Sequence, residues 1–414
     1  MTRISFPDGF LWGASTSSHQ IEGGDTYSDW CRFEEAGHAP VSGCAADSWN
    51  RWRDDLDVAV ELGLNVFRIS VEWARIEPTE GHYDREAMSH YTAVLAEARR
   101  RGLKTMVVLW HFTNPEWVAH SGGWTSRQTA EKFAAYARQM AVHLGHLVDY
   151  WVTLNEADTF VWKGYIARRW PPMRKNAWPA AYAAYRNLAR AHKRARAAIR
   201  EVLGGDQPVG LTHMFIWTHP AEKGGLFSAR VVARLNFLAN DLFMGLIASD
   251  VDWLGVQYYV DCPARFSGIA LDDGDPPTTD MGWRIAPRGI YEVVMRAWKR
   301  LGIPIMVTEN GLADASDSQR ARFIIDHLAW LNKAMRDGAD VRGYLHWSLI
   351  DNFEWCHGTE PRFGLAEVDF ETFERKIRPS ARVYARIIGG NGFDRDFGSE
   401  YTYADGTPSL APAD

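Results

Sequence analysis

Cysteine is scarce in this chain. Among 414 residues there are four, Cys31, Cys44, Cys262 and Cys356, and no two stand in the CxxC spacing of a zinc or redox motif. A Cys31–Cys44 disulfide is left open, with free thiols the better match to a reducing compartment. An excess of positive charge is also missing. Lys and Arg total 46 against 52 Asp and Glu, a net charge of −6, which argues against the basic footprint of a nucleic-acid binder. No apolar run reaches the ~20 residues that span a bilayer. Residues 1–7 lack a basic segment leading into an apolar stretch, and residues 10–14 are too short for a signal core. The expectation is a cytoplasmic protein with no nucleic-acid or membrane partner. Low-complexity tracts, internal linkers and short-period repeats are absent as well.

What the chain does have is tryptophan, 19 of them. Indoles commonly pack cores. Trp12, Trp73, Trp110, Trp347 and Trp355, however, fall at or near the ends of strand-like runs, where stacking on the flat face of a sugar is the alternative. The apolar fraction of 46% and charged fraction of 24% are those of a globular protein.

Strand-like and helix-like runs alternate throughout. β-branched and aromatic runs fall at 10–15, 65–73, 105–112, 150–154, 209–215, 253–259, 303–307 and 341–349. Helical patterns fall at 54–62, 85–101, 127–144, 180–203, 228–243, 289–301, 318–337 and 378–388. Strands that each precede a helix imply a parallel sheet with crossover helices. Eight such units predict an α/β fold, a single-domain (β/α)8 TIM barrel over 1–400, with an open doubly wound sheet as the competing architecture. The stretch 401–414, with Gly406, Pro408 and Pro412, reads as a loose C-terminal tail. Long loops follow the first, sixth and eighth strands (17–53, 260–288, 350–375), whereas helix-to-strand links such as 101–103 are tight. In a barrel this marks one elaborated face, the C-terminal ends of the strands, as the site. The basic run 186–200 interleaves Arg190, Lys193, Arg194 and Arg196 with Leu188, Ala191, Ala195, Ala198 and Ile199. That spacing predicts the solvated outer face of a barrel helix.

The strand ends deliver a particular set of side chains. The first leads to His19, Gln20 and Glu22; the second carries Arg68 and ends at Trp73. The third ends at His111 and the fourth at Asn155 and Glu156. The sixth gives Gln257, Tyr258 and Tyr259, the seventh Glu309, and the eighth Trp347, with Glu354 and Trp355 just beyond. A single glutamate after a strand is usually a solvated loop residue, and a single histidine usually structural. Two glutamates at the ends of different strands of one barrel are what acid/base chemistry with covalent participation needs. No strand end shows a His/Asp/Glu group with ligand spacing, so neither a metal nor a cofactor is expected.

These residues lie in segments that resemble glycoside hydrolase family one, the β-glucosidase/β-galactosidase family. The likeness runs from Phe6-Pro7-Asp8-Gly9-Phe10-Leu11-Trp12-Gly13 to Arg362-Phe363-Gly364-Leu365. Gln20-Ile21-Glu22-Gly23 closes a segment similar to the family's N-terminal signature. Thr153-Leu154-Asn155-Glu156 resembles its acid/base motif and Thr308-Glu309-Asn310-Gly311 its nucleophile motif. The segment from Trp347 through Asp351-Asn352-Phe353-Glu354-Trp355 resembles its sugar-binding loop.

The resemblance implies roles. Glu309 would be the nucleophile, partnered by Arg68 and Tyr259, and Glu156 the acid/base. Asn155 would bond the sugar 2-hydroxyl. Gln20, His111 and Glu354 would grip the 3-, 4- and 6-hydroxyls between Trp347 and Trp355. Gln257 and Phe363 join the substrate-binding set, and Trp283 sits at the mouth beside the aglycone. The implied activity is a retaining β-glucosidase-type exo-hydrolase acting on terminal β-D-glucosyl, and also β-galactosyl or β-fucosyl, residues of small glycosides. Its carboxyl groups would lie roughly 5–5.5 Å apart. Three residues depart from the family pattern: Ala157 stands for proline, Gln257 for asparagine and Phe112 for tryptophan. A 6-phosphoglycosidase reading fails because Glu354 and Glu360 would repel phosphate and the segment His357-Gly358-Thr359-Glu360-Pro361-Arg362 has no lysine to hold it. Glu156 argues against a thioglucosidase, which carries glutamine there. A sugar-binding pseudoenzyme and a transglycosidase are the alternatives on the same barrel, and the first is disfavoured because both carboxylates are present. A homo-oligomer and the natural aglycone are left open.

Overall fold

The computed structural model describes residues 3–221, 228–265, 267–269, 276–407 and 409–412; parts of the expected 260–288 loop therefore lie outside the described residues. Eight strands form the barrel: β1 Leu11–Ser15, β2 Val66–Ser70, β3 Lys104–Val108, β4 Tyr150–Asn155, β5 Val209–Pro220, β6 Leu254–Arg265, β7 Ile305–Glu309 and β8 Val341–Trp347. Each pairs in parallel with the next, β8 pairs with β1, and the ring is closed. This excludes the open doubly wound sheet. Around it lie α1 Ser48–Glu61, α2 Arg85–Arg100, α3 Arg127–Leu144, α4 Trp178–Leu203, α5 Ser228–Asn236, α6 Arg288–Leu301, α7 Arg320–Arg336 and α8 Pro379–Gly389. The expected helix 228–243 is broken: a five-residue π-turn, Phe237–Asp241, separates α5 from Leu242–Ile247.

Alternation along each strand divides the core in two. Leu11, Val66, Met106, Val108, Val152, Met306 and Leu345 form an apolar plug inside the barrel. Phe67, Ile69, Val107, Trp151, Leu154 and Val307 point outward into the layer shared with the helices. The plug closes one end of the barrel and leaves the polar residues above it facing the other.

β5 and β6 run further than the sequence suggests, staying paired from Leu211 and Leu254 to Pro220 and Ala264. The basic face of α4 is solvated, as its spacing predicts, and is neutralised by neighbours. Lys193 pairs with Asp250, Arg194 with Glu131, and Arg196 and Arg200 with Asp252. All four cysteines are free thiols, so no Cys31–Cys44 bridge forms. No helix among the described residues is long and apolar enough to cross a membrane.

Two expectations need correction. Trp12, Trp73 and Trp110 stack on no open face. They are buried in the outer layer, and their indole N–H groups donate to Asn391, Glu77 and Asn114. The described residues of the tail, 401–407 and 409–412, are docked through three of their number. Asp326 of α7 accepts from Tyr403 Oη, Ser409 Oγ and Leu410 N, while Trp330 donates to the Leu410 carbonyl. Tyr403 is buried. A short proline-bearing segment can dock when one buried carboxylate gathers its donors. Tyr403→Ala should therefore cost about 3 kcal/mol, the scale of truncating a buried aromatic. Urea unfolding of wild type and variant measures it, and a loose tail would give no loss.

Candidate active site

Local strand geometry turns the two glutamate-bearing ends inward. On β4, Val152 pairs with Gly210 but Asn155 with Thr212; on β7, Val307 pairs with Val256 but Glu309 with Gln257. Each of these strands carries one residue more than its partner, a β-bulge. Thr153 points outward, to His192 on α4, and Val307 lies in the outer layer. Strict alternation would send Asn155 and Glu309 the same way. The bulges bring both inside.

Arg68 ties the site together. Its guanidinium is fully buried, with Nη1 donating to Glu309 Oε1 at 2.6 Å and Nη2 to Asn155 Oδ1 at 2.6 Å. Tyr259 Oη donates to the other Glu309 oxygen at 2.8 Å. Asn155 Oδ1 also accepts from Thr212 Oγ1 and Gln257 Nε2. Arginine can only donate, so the oxygen of Asn155 faces Arg68 and its amide nitrogen faces His111 Nε2, at 3.1 Å. His111 Nε2 then accepts, and its proton sits on Nδ1, against Ser70 Oγ. Burial and the Arg68 charge push this histidine well below its usual range, so it stays neutral.

The two carboxyls differ in their surroundings. Burial raises both, and at Glu156 the charges of Glu309 and Asp158 raise it further, well above the carboxylate range. At Glu309 the upward push of burial is opposed by the Arg68 charge and by the bonds from Tyr259 and Arg68. The proton therefore belongs on Glu156 and the negative charge on Glu309. Glu156 has a left-handed backbone, φ 43°, and Phe112 and Trp355 share this trait with φ 75° and 52°. Non-glycine residues held there are strained and cluster at functional sites. Gly311 is required for a different reason: a Cβ would stand 1.8 Å from the Trp347 carbonyl oxygen.

Beside this pair, Gln20 Nε2 donates to Asn352 Oδ1 at 3.0 Å and Glu354 Oε2 at 3.2 Å, and Gln20 Oε1 is buried without a partner. Burial, offset by Lys163 and reinforced by Glu309, pushes Glu354 up to about 7. Trp347 and Trp355 flank His111 at ring distances of 6.2 and 6.4 Å. Phe363 and Trp283 pack with Tyr259 and Trp347 in a small separate cluster. The residues singled out from sequence thus converge, with a difference for Gln257. Its amide nitrogen is spent on Asn155 and Thr212, which positions Asn155, while its Oε1 is buried without a partner.

His19 and Glu22 stand outside the site. Glu22 pairs with Arg75 and accepts from Tyr91. His19 stacks behind Trp355 at 5.5 Å and bridges Asp25 and Glu34. Burial disfavours its charge, but those carboxylates hold it up at about 10. A group of ligand-type atoms does gather here, in the first loop. Ligand atoms of His19, Asp25 and Cys31 lie within 4.8 Å of one another, the one such group among the described residues. They are engaged with the protein, since Cys31 Sγ donates to the Asp25 carbonyl. Sequence reading also missed Thr212, Ser70, Lys163 and Trp170, which carry no motif; for Lys163 the one signal was its place in a run without acids.

The profile of glycosyl hydrolase family 1 matches residues 2–250 and 230–393. The chain is 30% identical over 483 residues to a β-galactosidase of Sulfolobus acidocaldarius, covering 95% of this chain and 97% of that one. It is 29% identical to β-glucosidase A of Thermotoga maritima, with 94% and 99% covered. A β-glycosidase from Pyrococcus horikoshii superposes with a TM-score of 0.91 at 34% identity, covering 99% of this chain and all of the other (100%).

Removing the cation should expose the imbalance between the two carboxyls. In Arg68→Met the Glu309 carboxyl loses its opposing charge and should protonate at higher pH than in wild type. Infrared difference titration of the carboxylate band, with Glu156→Gln to silence its neighbour, reads this; an unmoved titration would show that Arg68 does not hold the charge.

Proposed function

The chain belongs to glycosyl hydrolase family 1, and on that premise we propose that it is a retaining β-glycosidase of the β-glucosidase type, acting by double displacement. That it is an O-glycoside hydrolase and a β-glycosidase follows from the family and its relatives. The finer reading is carried by one observation: of two buried carboxyls, Glu156 feels the negative charge of Glu309, and Glu309 has a cation hydrogen-bonded to it.

The chemistry follows from that asymmetry. Glu309, ionised against Arg68, attacks the anomeric carbon while Glu156, protonated, donates to the leaving oxygen. Departure of the aglycone leaves a glycosyl ester on Glu309 and a carboxylate on Glu156. With its proton gone, Glu156 takes one from water, and the hydroxide so formed releases the sugar with its configuration restored. The second amide hydrogen of Asn155 is left for the 2-hydroxyl, a contact that strengthens as charge develops on the ring. Gln20 and Glu354 offer a donor and acceptors at the corner of the 4- and 6-hydroxyls, so either epimer at C4 can be partnered. This supports glucosides first, with galactosides and fucosides accepted. The small molecules that fit are glycosides with a free non-reducing end. The unpaired thiols support a reducing, cytoplasmic setting, which cell fractionation tests.

Proton NMR of the first-formed sugar tests the mechanism. Both β-glucosides and β-galactosides should yield the β-anomer first, and an initial α-anomer would sink the assignment.

The leaving group provides a second measurement. Glu156→Ala should lose about 10²–10⁴-fold on alkyl glucosides, which need protonation, and far less on activated aryl glucosides. In wild type kcat/KM should fall as pH rises through the elevated Glu156 titration, because the protonated form is the donor. The variant should lack that limb. Equal losses on both substrate types would contradict the acid role.

A further inference from the structure

Among the described lysines, Lys132, Lys163 and Lys333 are half-buried. Lys132 pairs with Glu80 and Lys333 with Asp337. Lys163 has no such partner: among the described residues its ammonium reaches no carboxylate within ion-pair distance and no hydrogen-bond acceptor. An ammonium withdrawn from water without an acceptor is costly. Lys163 lies on the loop after Glu156, in the π-turn Trp162–Ile166, and its ammonium stands 4.0 Å from the ring centre of Trp170. Trp170 packs at 5.5 Å against Trp355, the residue after Glu354. Cys356 Sγ donates to the Arg169 carbonyl at 3.6 Å. The two loops are thus joined, and the ammonium is held beside the Glu354 turn.

Burial lowers the protonation of Lys163; the charges of Glu354 and then Glu156 oppose this, and Arg169 adds to it. Lys163 and Glu354 therefore feel each other through space without bonding directly. The corner they share is short of donors. Gln20 directs its amide hydrogens at Asn352 and at Glu354 itself, while Gln20 Oε1 is an acceptor without a partner. A sugar hydroxyl can donate to these oxygens, but its own oxygen then lacks a donor unless Gln20 is drawn from Glu354. An ammonium only donates and a carboxylate only accepts, so one hydroxyl between them satisfies both. Stereochemistry selects which hydroxyl. In a pyranose, C6 hangs from C5, on the edge that leads from the ring oxygen beside C1 to C4. A cation acting on both Glu156, at C1, and Glu354, at the 4- and 6-hydroxyls, faces that edge.

We propose that Lys163 is a specificity-determining residue of the sugar subsite, donating to the 6-hydroxyl oxygen of a β-glucoside or β-galactoside while that hydroxyl donates to Glu354. This rests on the β-glycosidase reading above and deepens it. Preference for a sugar that bears O6 is shared between a cation and a carboxylate, and a 6-deoxy sugar leaves the buried ammonium unmatched.

The test compares p-nitrophenyl β-D-galactoside with p-nitrophenyl β-D-fucoside, which share a leaving group and differ only at O6. The ratio of their kcat/KM values isolates that hydroxyl, and any effect of Lys163 on Glu156 enters both and cancels. Lys163→Met should lower the ratio about tenfold, equivalent to ~1.4 kcal/mol, by loss on the galactoside. Lys163→Arg should keep most of it. In a Glu354→Gln background no carboxylate is left at that position to titrate, and Lys163→Met should still lower the ratio. An unchanged ratio there means that the lysine acts only through the charge of Glu354, and overturns the contact. A ratio that Lys163→Met leaves unchanged in the otherwise native enzyme overturns it as well, while the glycosidase reading stands. Should Lys163→Met fail to fold, Lys163→Gln should lower the ratio part of the way, and no change overturns the proposal equally. Failure of wild type to cleave either glycoside or p-nitrophenyl β-D-glucoside would overturn the glycosidase reading, and the proposal with it.

Discussion

The ion pair of Arg68 and Glu309 is the interaction on which the rest of the site depends. Both partners are withdrawn from solvent, and taking either away would strand a buried charge, which costs about 3–5 kcal/mol. The guanidinium reaches from β2 to Glu309 on β7 and Asn155 on β4, so three strands of the closed ring must hold their register for it to be satisfied. Arginine keeps its charge across the accessible pH range. It can therefore hold one carboxylate ionised inside a barrel whose interior favours neutral groups.

From that pair follows the division of labour between two identical side chains. Glu156 has no cation bonded to it and faces both Glu309 and Asp158, so its proton is retained. Around the pair, each group is fixed by another. Asn155 is held by Arg68, Thr212 and Gln257, and it fixes in turn the tautomer of His111. Preorganisation of this kind needs rigid support. The left-handed backbones of Phe112 and Trp355 lie in dense aromatic packing among Phe112, Trp170, Trp355 and Trp30.

Much of this was legible in the sequence, for identifiable reasons. The alternation of strand and helix reflects chain-local periodicity, so counting eight units favours the barrel, while the pairing of β8 with β1 excludes the open sheet. Glu156, Glu309, Arg68 and Gln20 stand out together, because each alone would pass for a structural or solvated residue but their gathering at one end of the strands would not. Other features resisted reading because they depend on partners distant in the chain. Trp73 and Trp110 sit where a sugar-facing indole would sit, yet Glu77 and Asn114 take their N–H groups into the outer layer. The tail looked loose because nothing in residues 401–414 reveals that Asp326 collects its donors. His19, Asp25 and Cys31 carry no recognisable spacing, and only the fold of the first loop brings them together. Gln257 reads as a sugar ligand, and only the fold shows that its amide nitrogen is also tied to Asn155 and Thr212.

The sequence by itself determined the order of elements and which polar groups stand at which strand ends, because these follow from periodicity along the chain, while the roles of Glu156 and Glu309 were implied by the resemblance of their motifs. It could not determine which face those groups occupy. In a strand, the face is set by parity, and one extra residue reverses it. Parity at Asn155 and Glu309 is reset by bulges that exist only as mismatches against Gly210–Thr212 and Val256–Gln257. Those partners lie more than fifty residues away from the residues they turn. Whether two glutamates face a shared pocket or the helices behind them was therefore decided by the pairing of neighbouring strands, and by nothing local to either motif.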